Sequence, residues 1–213
     1  LDSLTRLAQG ETSDNVQVSE IQHTGKLALL FTGQGSQYVG MGYTCYQRFP
    51  LFRQIFDAVC AELDALMVEQ QQPSLRDIIF AEPGGSRAKL LDQTVFTQTA
   101  LFVLEVALFR LVESWGVKPD LLCGHSIGEV AAAHIAGVLS LQDACVLVAA
   151  RARLMQAQRT DGAMVSLQAS EAEVQPYLVG HENEASIAAL NGPHSTVIAG
   201  NETVVMGIAE QFA

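Results

Sequence analysis

A serine set between two glycines, Gly124-His125-Ser126-Ile127-Gly128-Glu129, marks where this chain can do covalent chemistry. The apolar run Leu121-Leu122-Cys123 before it reads as a buried strand, and Val130-Ala131-Ala132-Ala133-His134-Ile135-Ala136 after it as a helix. A serine at such a strand-to-helix turn is a nucleophile elbow: the glycines permit a sharp turn that pushes the hydroxyl clear of the backbone. The helix N-terminus offers unpaired N–H groups and a positive dipole end where an oxyanion would form. The chemistry this predicts is acyl transfer through a serine ester, to water or to another acceptor. Glu129, in the first helical turn, reads as a favourable dipole charge rather than as the acid of a triad.

A serine nucleophile needs a base, usually histidine. His125 adjoins Ser126, but the elbow points its side chain elsewhere, leaving it at most a cleft residue. His134 is about 12 Å further along the helix, too far for a direct hydrogen bond. His23 sits in a polar N-terminal arm, His181 in a solvated loop, and His194 in a hairpin turn that could face the cleft. None is a convincing partner. Two other groups carry chemical meaning. Arg151 follows the apolar run Val146–Ala150, so it is either a helix-end charge or an anion clamp that holds a carboxylate with two parallel hydrogen bonds. The loop Gly33-Gln34-Gly35 lacks both the third glycine of a dinucleotide fingerprint and the Gly-Lys-Ser/Thr of a P-loop. Its better use is a second oxyanion donor facing the elbow, since loops leaving parallel strands share one sheet edge.

The elements that position these groups follow from patterning. Lys26–Thr32 reads as a central strand, Pro50–Gln70 as a helix with apolar Leu51, Ile55, Val59, Leu63 and Leu66, residues 71–93 as a loose connection, Thr94–Trp115 as a long buried helix, and Leu141–Gln158 as another, capped by Ser140. After Asp161-Gly162 the pattern changes. Strand Ala163–Leu167, helix Glu171–Leu178, strands Ser186–Leu190 and Thr196–Ala199 around the turn Asn191–His194, and helix Glu202–Phe212 capped by Asn201 give β-α-β-β-α. That is a ferredoxin-like subdomain without its last strand. The expected class is therefore α/β: a hydrolase-like core with a parallel sheet and nucleophile elbow, plus an incomplete ferredoxin-like small subdomain. The divisions are a linker arm over 1–24, a core over 25–160 and the subdomain over 161–213. The chain starts at Leu1 without methionine, as an excised domain would, and more chain is expected to complete the subdomain.

The 213 residues carry a net charge of −11, which argues against nucleic acid as a partner. Cys45, Cys60, Cys123 and Cys145 show no CxxC spacing. They read as buried free thiols of a cytoplasmic protein, and no metal site is expected. No uninterrupted apolar run reaches about 18 residues, because Glu105 and Arg110 break the longest, Ala100–Val112. No membrane span is expected.

Together, Phe31-Thr32-Gly33-Gln34-Gly35-Ser36-Gln37, the Ser126 elbow and Arg151-Ala152-Arg153-Leu154-Met155-Gln156 resemble the acyltransferase domain of modular type I polyketide synthases, which are multifunctional enzymes. They are similar, too, to malonyl-CoA:acyl-carrier-protein transacylases. Phe96–Phe102, Ser114–Asp120, Asn191-Gly192-Pro193 and Val197–Gly200 extend the resemblance over residues 26–213. The resemblance implies a ping-pong reaction in which Ser126 takes an acyl group from coenzyme A and passes it to the phosphopantetheine thiol of an acyl carrier protein. No bound cofactor is implied. The backbone N–H groups of Gln34 and Ile127 map to the oxyanion hole, Arg151 to the cation that pairs with the free carboxylate of a malonyl-type extender, and Gln98 and Asn191 to positions near the cleft. Ile127 tends to accompany malonyl in this family, where glutamine accompanies methylmalonyl. Residues 1–24 resemble the end of a linker from a ketosynthase. The catalytic histidine would lie beyond residue 213, so this length of chain should be weakly active or inactive. The alternatives are a serine hydrolase (thioesterase or patatin-like lipase), which needs neither Arg151 nor the Gln34 loop, and an inactive module.

Overall fold

In the first unit, two parallel strands put the glycine-rich loop and the serine elbow at one edge. The computed structural model describes residues 2–11, 25–67, 73–158 and 161–212. They form two compact units, Leu1–Gln156 and Ala157–Ala213. A short helix α1 (Asp2–Ala8) comes first; most of the expected linker arm, His23 included, lies outside the described residues. Strand β1 (Ala28–Phe31) pairs in parallel with β2 (Leu121–Gly124), Ala28 opposite Leu121 and Phe31 opposite Gly124. Their starts are pinned by the Leu27 N–H donating to Asp120 Oδ2 at 2.8 Å. Between them run α2 (Tyr43–Arg48), α3 (Pro50–Leu66), α4 (Leu75–Ile79) and α5 (Thr94–Ser114), with a 3-10 turn at Ala88–Asp92. The connection expected to be loose thus holds two short helical pieces. Ser74 makes the first by accepting from the Asp77 N–H. After β2 come α6 (Ile127–Ile135) and α7 (Leu141–Gln156), the latter started by Ser140 Oγ accepting from the Asp143 N–H.

Helix α5 is the axis of the unit and packs against α3, α6 and α7. Phe96 through Val103 are all buried, which fits a helix apolar on every side. At 21 residues it is long and apolar enough to cross a membrane, a point the search for unbroken apolar runs missed. In this fold 72% of its most apolar window is buried inside the protein, so the apolar surface is spent on core packing. In α3 the buried stripe is Phe52, Phe56, Val59, Cys60 and Leu63. Leu51 and Leu66, at the ends of the expected stripe, are exposed. The stripe turns by about 100° per residue, and large phenylalanines at 52 and 56 set its phase. Of the cysteines, Cys60 and Cys145 are buried, Cys45 is half-buried and Cys123 is exposed at the end of β2, contrary to expectation. Burial pushes the Cys145 thiol up to about 12 and Cys60 higher still.

The second unit contains β3 (Gly162–Leu167), α8 (Glu171–Leu178), β4 (Ala185–Gly192), β5 (Ser195–Asn201) and α9 (Glu202–Ala209), with a closing 3-10 turn at Glu210–Phe212. Its antiparallel sheet has the order β3-β5-β4. This is the strand order of a ferredoxin-like β-α-β-β-α unit. A capping box joins Ser170 and Glu173 at the start of α8. Asn201 Oδ1 accepts from the N–H groups of Thr203 and Val204 and starts α9.

Candidate acyl-transfer site

The site is built where β1 and β2 end. Ser126 has φ 56° and ψ −112°, and it is the only non-glycine residue with positive φ among those described. Such a conformation costs about 1–3 kcal/mol and persists only where surroundings impose it. Those surroundings are backbone. A Cβ on Gly128 would lie 2.4 Å from Thr32 O and 2.6 Å from Phe31 O. One on Gly124 would lie 2.2 Å from the Glu129 nitrogen. One on Gly33 would lie 2.6 Å from His125 Cδ2. The two loops therefore touch through glycines. The His125 N–H donating to Phe31 O at 2.9 Å extends the sheet into the elbow. Glu129 reaches back to accept from the Gly124 N–H at 3.1 Å, which adds a bond to its expected dipole role. We predict that Gly128→Ala lowers stability by about 3 kcal/mol and acylation by about 100-fold, read by urea denaturation and acyl-enzyme mass.

Four of the expected site residues are joined by hydrogen bonds. Arg151 Nη2 donates to Ser126 Oγ at 2.9 Å. Its Nη1 donates to Gln98 Oε1. Gln98 is buried, and its Nε2 donates to Met155 Sδ at 3.1 Å and faces Gln34 Oε1 at 3.5 Å. Gln34 Nε2 donates to Thr94 Oγ1 at 3.3 Å. Arg151 is thus no helix-end charge: it lies within α7 and is aimed at the Ser126 hydroxyl. Ile127 begins α6, so its N–H has no acceptor inside the helix. Its side chain is fully buried in the core. The His125 ring lies against Gly33. His134 is held by Leu139 O at 3.0 Å and packs near Phe102, away from any base role. Asn191 and His194 belong to the second unit, at the end of β4 and in the turn to β5. His181 pairs with Glu184 at 3.1 Å in that unit. No cluster of three or more His, Cys, Asp or Glu among the described residues could hold a metal ion.

A family profile described as the acyl transferase domain matches residues 28–213. The chain belongs to that family. It is 51% identical over 211 residues to the polyketide synthase GfsA of Streptomyces halstedii, covering 99% of this chain and 3% of that protein. It is 47% identical over 212 residues to the mycoketide-CoA synthase of Mycobacterium tuberculosis, covering all of this chain and 5% of that protein. Among solved structures, the acyltransferase domain from the second module of the salinomycin polyketide synthase superposes with a TM-score of 0.84 at 48% identity, over 99% of this chain and 47% of that one. A malonyl CoA-acyl carrier protein transacylase from Clostridium perfringens superposes with a TM-score of 0.74 at 28% identity, over 88% and 57%. The chain thus spans about half of the solved domains it resembles and a few per cent of the curated synthases. The hydrolase-like α/β class expected from the elbow is the class of these acyltransferase domains.

Three groups around the acyltransferase site escaped the sequence reading. Met155 and Thr94 hold the far ends of the Gln98 and Gln34 side chains; only helix packing brings them there. Glu105 had appeared only as a charge interrupting an apolar run. It is 7% exposed, and burial pushes its carboxyl from the usual 4.5 up to about 7, partly offset by hydrogen bonds from Thr32. Between pH 4.5 and 7 the folded domain therefore holds a proton that the unfolded chain has lost. Stability falls as pH rises through that window, by about 3 kcal/mol at most. Glu105→Gln, which has no proton to lose, is expected to flatten this slope in denaturant titrations.

Proposed function

We propose that this acyltransferase domain moves a malonyl-type extender from coenzyme A to the phosphopantetheine thiol of an acyl carrier protein, through an ester on Ser126, in polyketide synthesis. Ser126 Oγ loses its proton to a base and bonds the thioester carbonyl carbon. The carbonyl becomes an oxyanion between the N–H groups of Gln34 and Ile127. As the carbonyl re-forms, the C–S bond breaks and coenzyme A leaves as the thiol, taking the proton. The carrier thiol then repeats the sequence in reverse on the Ser126 ester. Oxyanion donors of this kind are worth about 100- to 1,000-fold each in rate.

The observation that carries the reading is the Arg151 guanidinium bridging Gln98 and Ser126 Oγ. A fixed cation beside the nucleophile suits an acyl group with its own carboxylate; a serine hydrolase of simple esters has no use for it. We take malonyl over a branched extender because Ile127 stands after the serine. Since its side chain is buried, its influence on the extender is through packing and the turn it begins. The base is proposed to be a histidine outside residues 1–213, and these residues alone to load malonyl weakly or not at all. The relatives named as synthases support the remaining partners, a carrier protein and a neighbouring ketosynthase, within a cytoplasmic multifunctional enzyme.

The test is incubation with malonyl-CoA followed by mass spectrometry of the peptide holding Ser126. A malonyl adduct that passes to a carrier protein supports the reading. Rapid hydrolysis without transfer would point to a hydrolase, and no adduct at all on a chain extended through the C-terminal half of the domain would sink it.

A further inference from the structure

The loop that carries Gln34 is tied down twice, both times by α5. Above, Thr94 and Gln98 hold the Gln34 side chain. Below, Ser36 Oγ donates to Thr32 Oγ1 at 2.9 Å, and Thr32 Oγ1 donates to Glu105 Oε1 at 3.0 Å. Ser36 Oγ also donates to Gly33 O at 2.8 Å, so its one hydrogen is shared between the two acceptors. Thr94, Gln98 and Glu105 sit at i, i+4 and i+11, so they share one face of the helix. Glu105 ends the chain as the acceptor of the Thr32 hydroxyl, a role its carboxyl fills in either protonation state. By accepting the Thr32 hydroxyl hydrogen bond it leaves a Thr32 lone pair to Ser36, which gives the chain one direction. Its other oxygen, Oε2, is buried and has no hydrogen-bond partner among the described residues. A buried acid left half-satisfied is costly, and nothing in the acyl-transfer steps uses it directly.

We infer that Glu105 is a positioning residue for the oxyanion loop, setting the place of the Gln34 amide through the chain Ser36–Thr32–Glu105. The inference rests on the proposed role of that amide. The acid and the loop are far apart in sequence, and the link joins the loop motif to a helix face that carries no motif of its own. A carboxyl is suited to this end position because it keeps an oxygen free to accept from Thr32 whether or not it carries a proton. Loss of the bond frees the Thr32 hydroxyl to rotate and to turn Ser36 wholly to Gly33 O. The first turn of the loop then has no anchor to the helix beneath it. A donor displaced by about 1 Å costs up to 100-fold in rate.

The test combines kinetics with hydrogen exchange on a chain extended through the C-terminal half of the domain. Glu105→Leu is expected to lower kcat for acylation 10- to 100-fold while KM for malonyl-CoA stays within twofold. Amide exchange of a peptide spanning residues 31–38 should accelerate at least tenfold, while that of 124–130 is unchanged. Glu105→Gln keeps an acceptor for Thr32 and should restore both. Should Glu105→Leu fail to fold, Thr32→Val breaks the side-chain bond from an exposed position and must move loop exchange and kcat in the same directions, by less because the Thr32 backbone bond to Glu105 remains. Unchanged loop exchange, unchanged kcat, or a glutamine variant as impaired as the leucine one overturns the inference. If the unaltered chain, extended through the C-terminal half of the domain, never acylates Ser126 yet its loop exchange responds as stated, the functional reading falls and the anchoring by Glu105 stands.

Discussion

Ser126→Ala is expected to abolish the malonyl adduct and to lower transfer to a carrier protein by about 10,000-fold or more. The hydroxyl is the only group at the elbow that can form the ester, and the backbone donors alone cannot replace it. Stability should respond differently. At φ 56° the alanine variant keeps a side chain in a conformation that a Cβ resists. Ser126→Gly removes that strain. Glycine costs about 0.5–1 kcal/mol through the freedom of the unfolded chain, against a strain of about 1–3 kcal/mol. The glycine variant should therefore be more stable than the alanine variant by about 1 kcal/mol in urea titrations, and equally dead. An alanine variant that is the more stable of the two would show that the elbow is not strained.

Arg151→Ala should lower malonyl loading by about 100- to 1,000-fold, the worth of a charge-assisted contact in a site of this kind. Acetyl loading should change far less, because acetyl offers no carboxylate. The ratio of the two, measured by competition between malonyl-CoA and acetyl-CoA with adducts resolved by mass, reports the clamp separately from any general damage. Arg151→Lys should not recover the ratio. A lysine has no planar fork with which to bridge Gln98 and the site together. Gln98→Ala should reproduce part of the loss, and the double variant should cost less than the sum, since the two side chains act as one bonded unit. An unchanged malonyl-to-acetyl ratio in Arg151→Ala would remove the carboxylate clamp from the mechanism.

The legible parts of the site are those that local backbone geometry dictates. A turn this tight admits only glycine at 124 and 128, because neighbouring backbone occupies the space of a Cβ; hence the motif is visible in one line of sequence. Arg151 was left between two readings, since a cation in α7 has no marker for what it faces. Only the packing of α5 against α7 delivers it to Ser126 by way of Gln98. Glu105 was read for what it interrupts rather than for what it holds, and its partner Thr32 lies 73 residues away. The α3 stripe was misphased because Leu51 and Leu66 are as apolar as the residues that do turn inward. An apolar strand predicts a buried Cys123, but Leu121 and Cys123 share a face of β2 that meets solvent.

The pairing of β1 with β2 closes over 93 residues, from Leu27 to Asp120. On a ribosome adding about 5–20 residues per second, the first strand and its glycine loop emerge roughly 5–20 s before their neighbour exists. The glycine-rich loop cannot take its final shape in that interval, because the Gly128 backbone that abuts Phe31 and Thr32 has not been made. The waiting strand edge is a place where a nascent chain can pair wrongly. Slow decoding between the two loops would lengthen that exposure, so synonymous codon choice across α2 to α5 is one more variable acting on the yield of active enzyme.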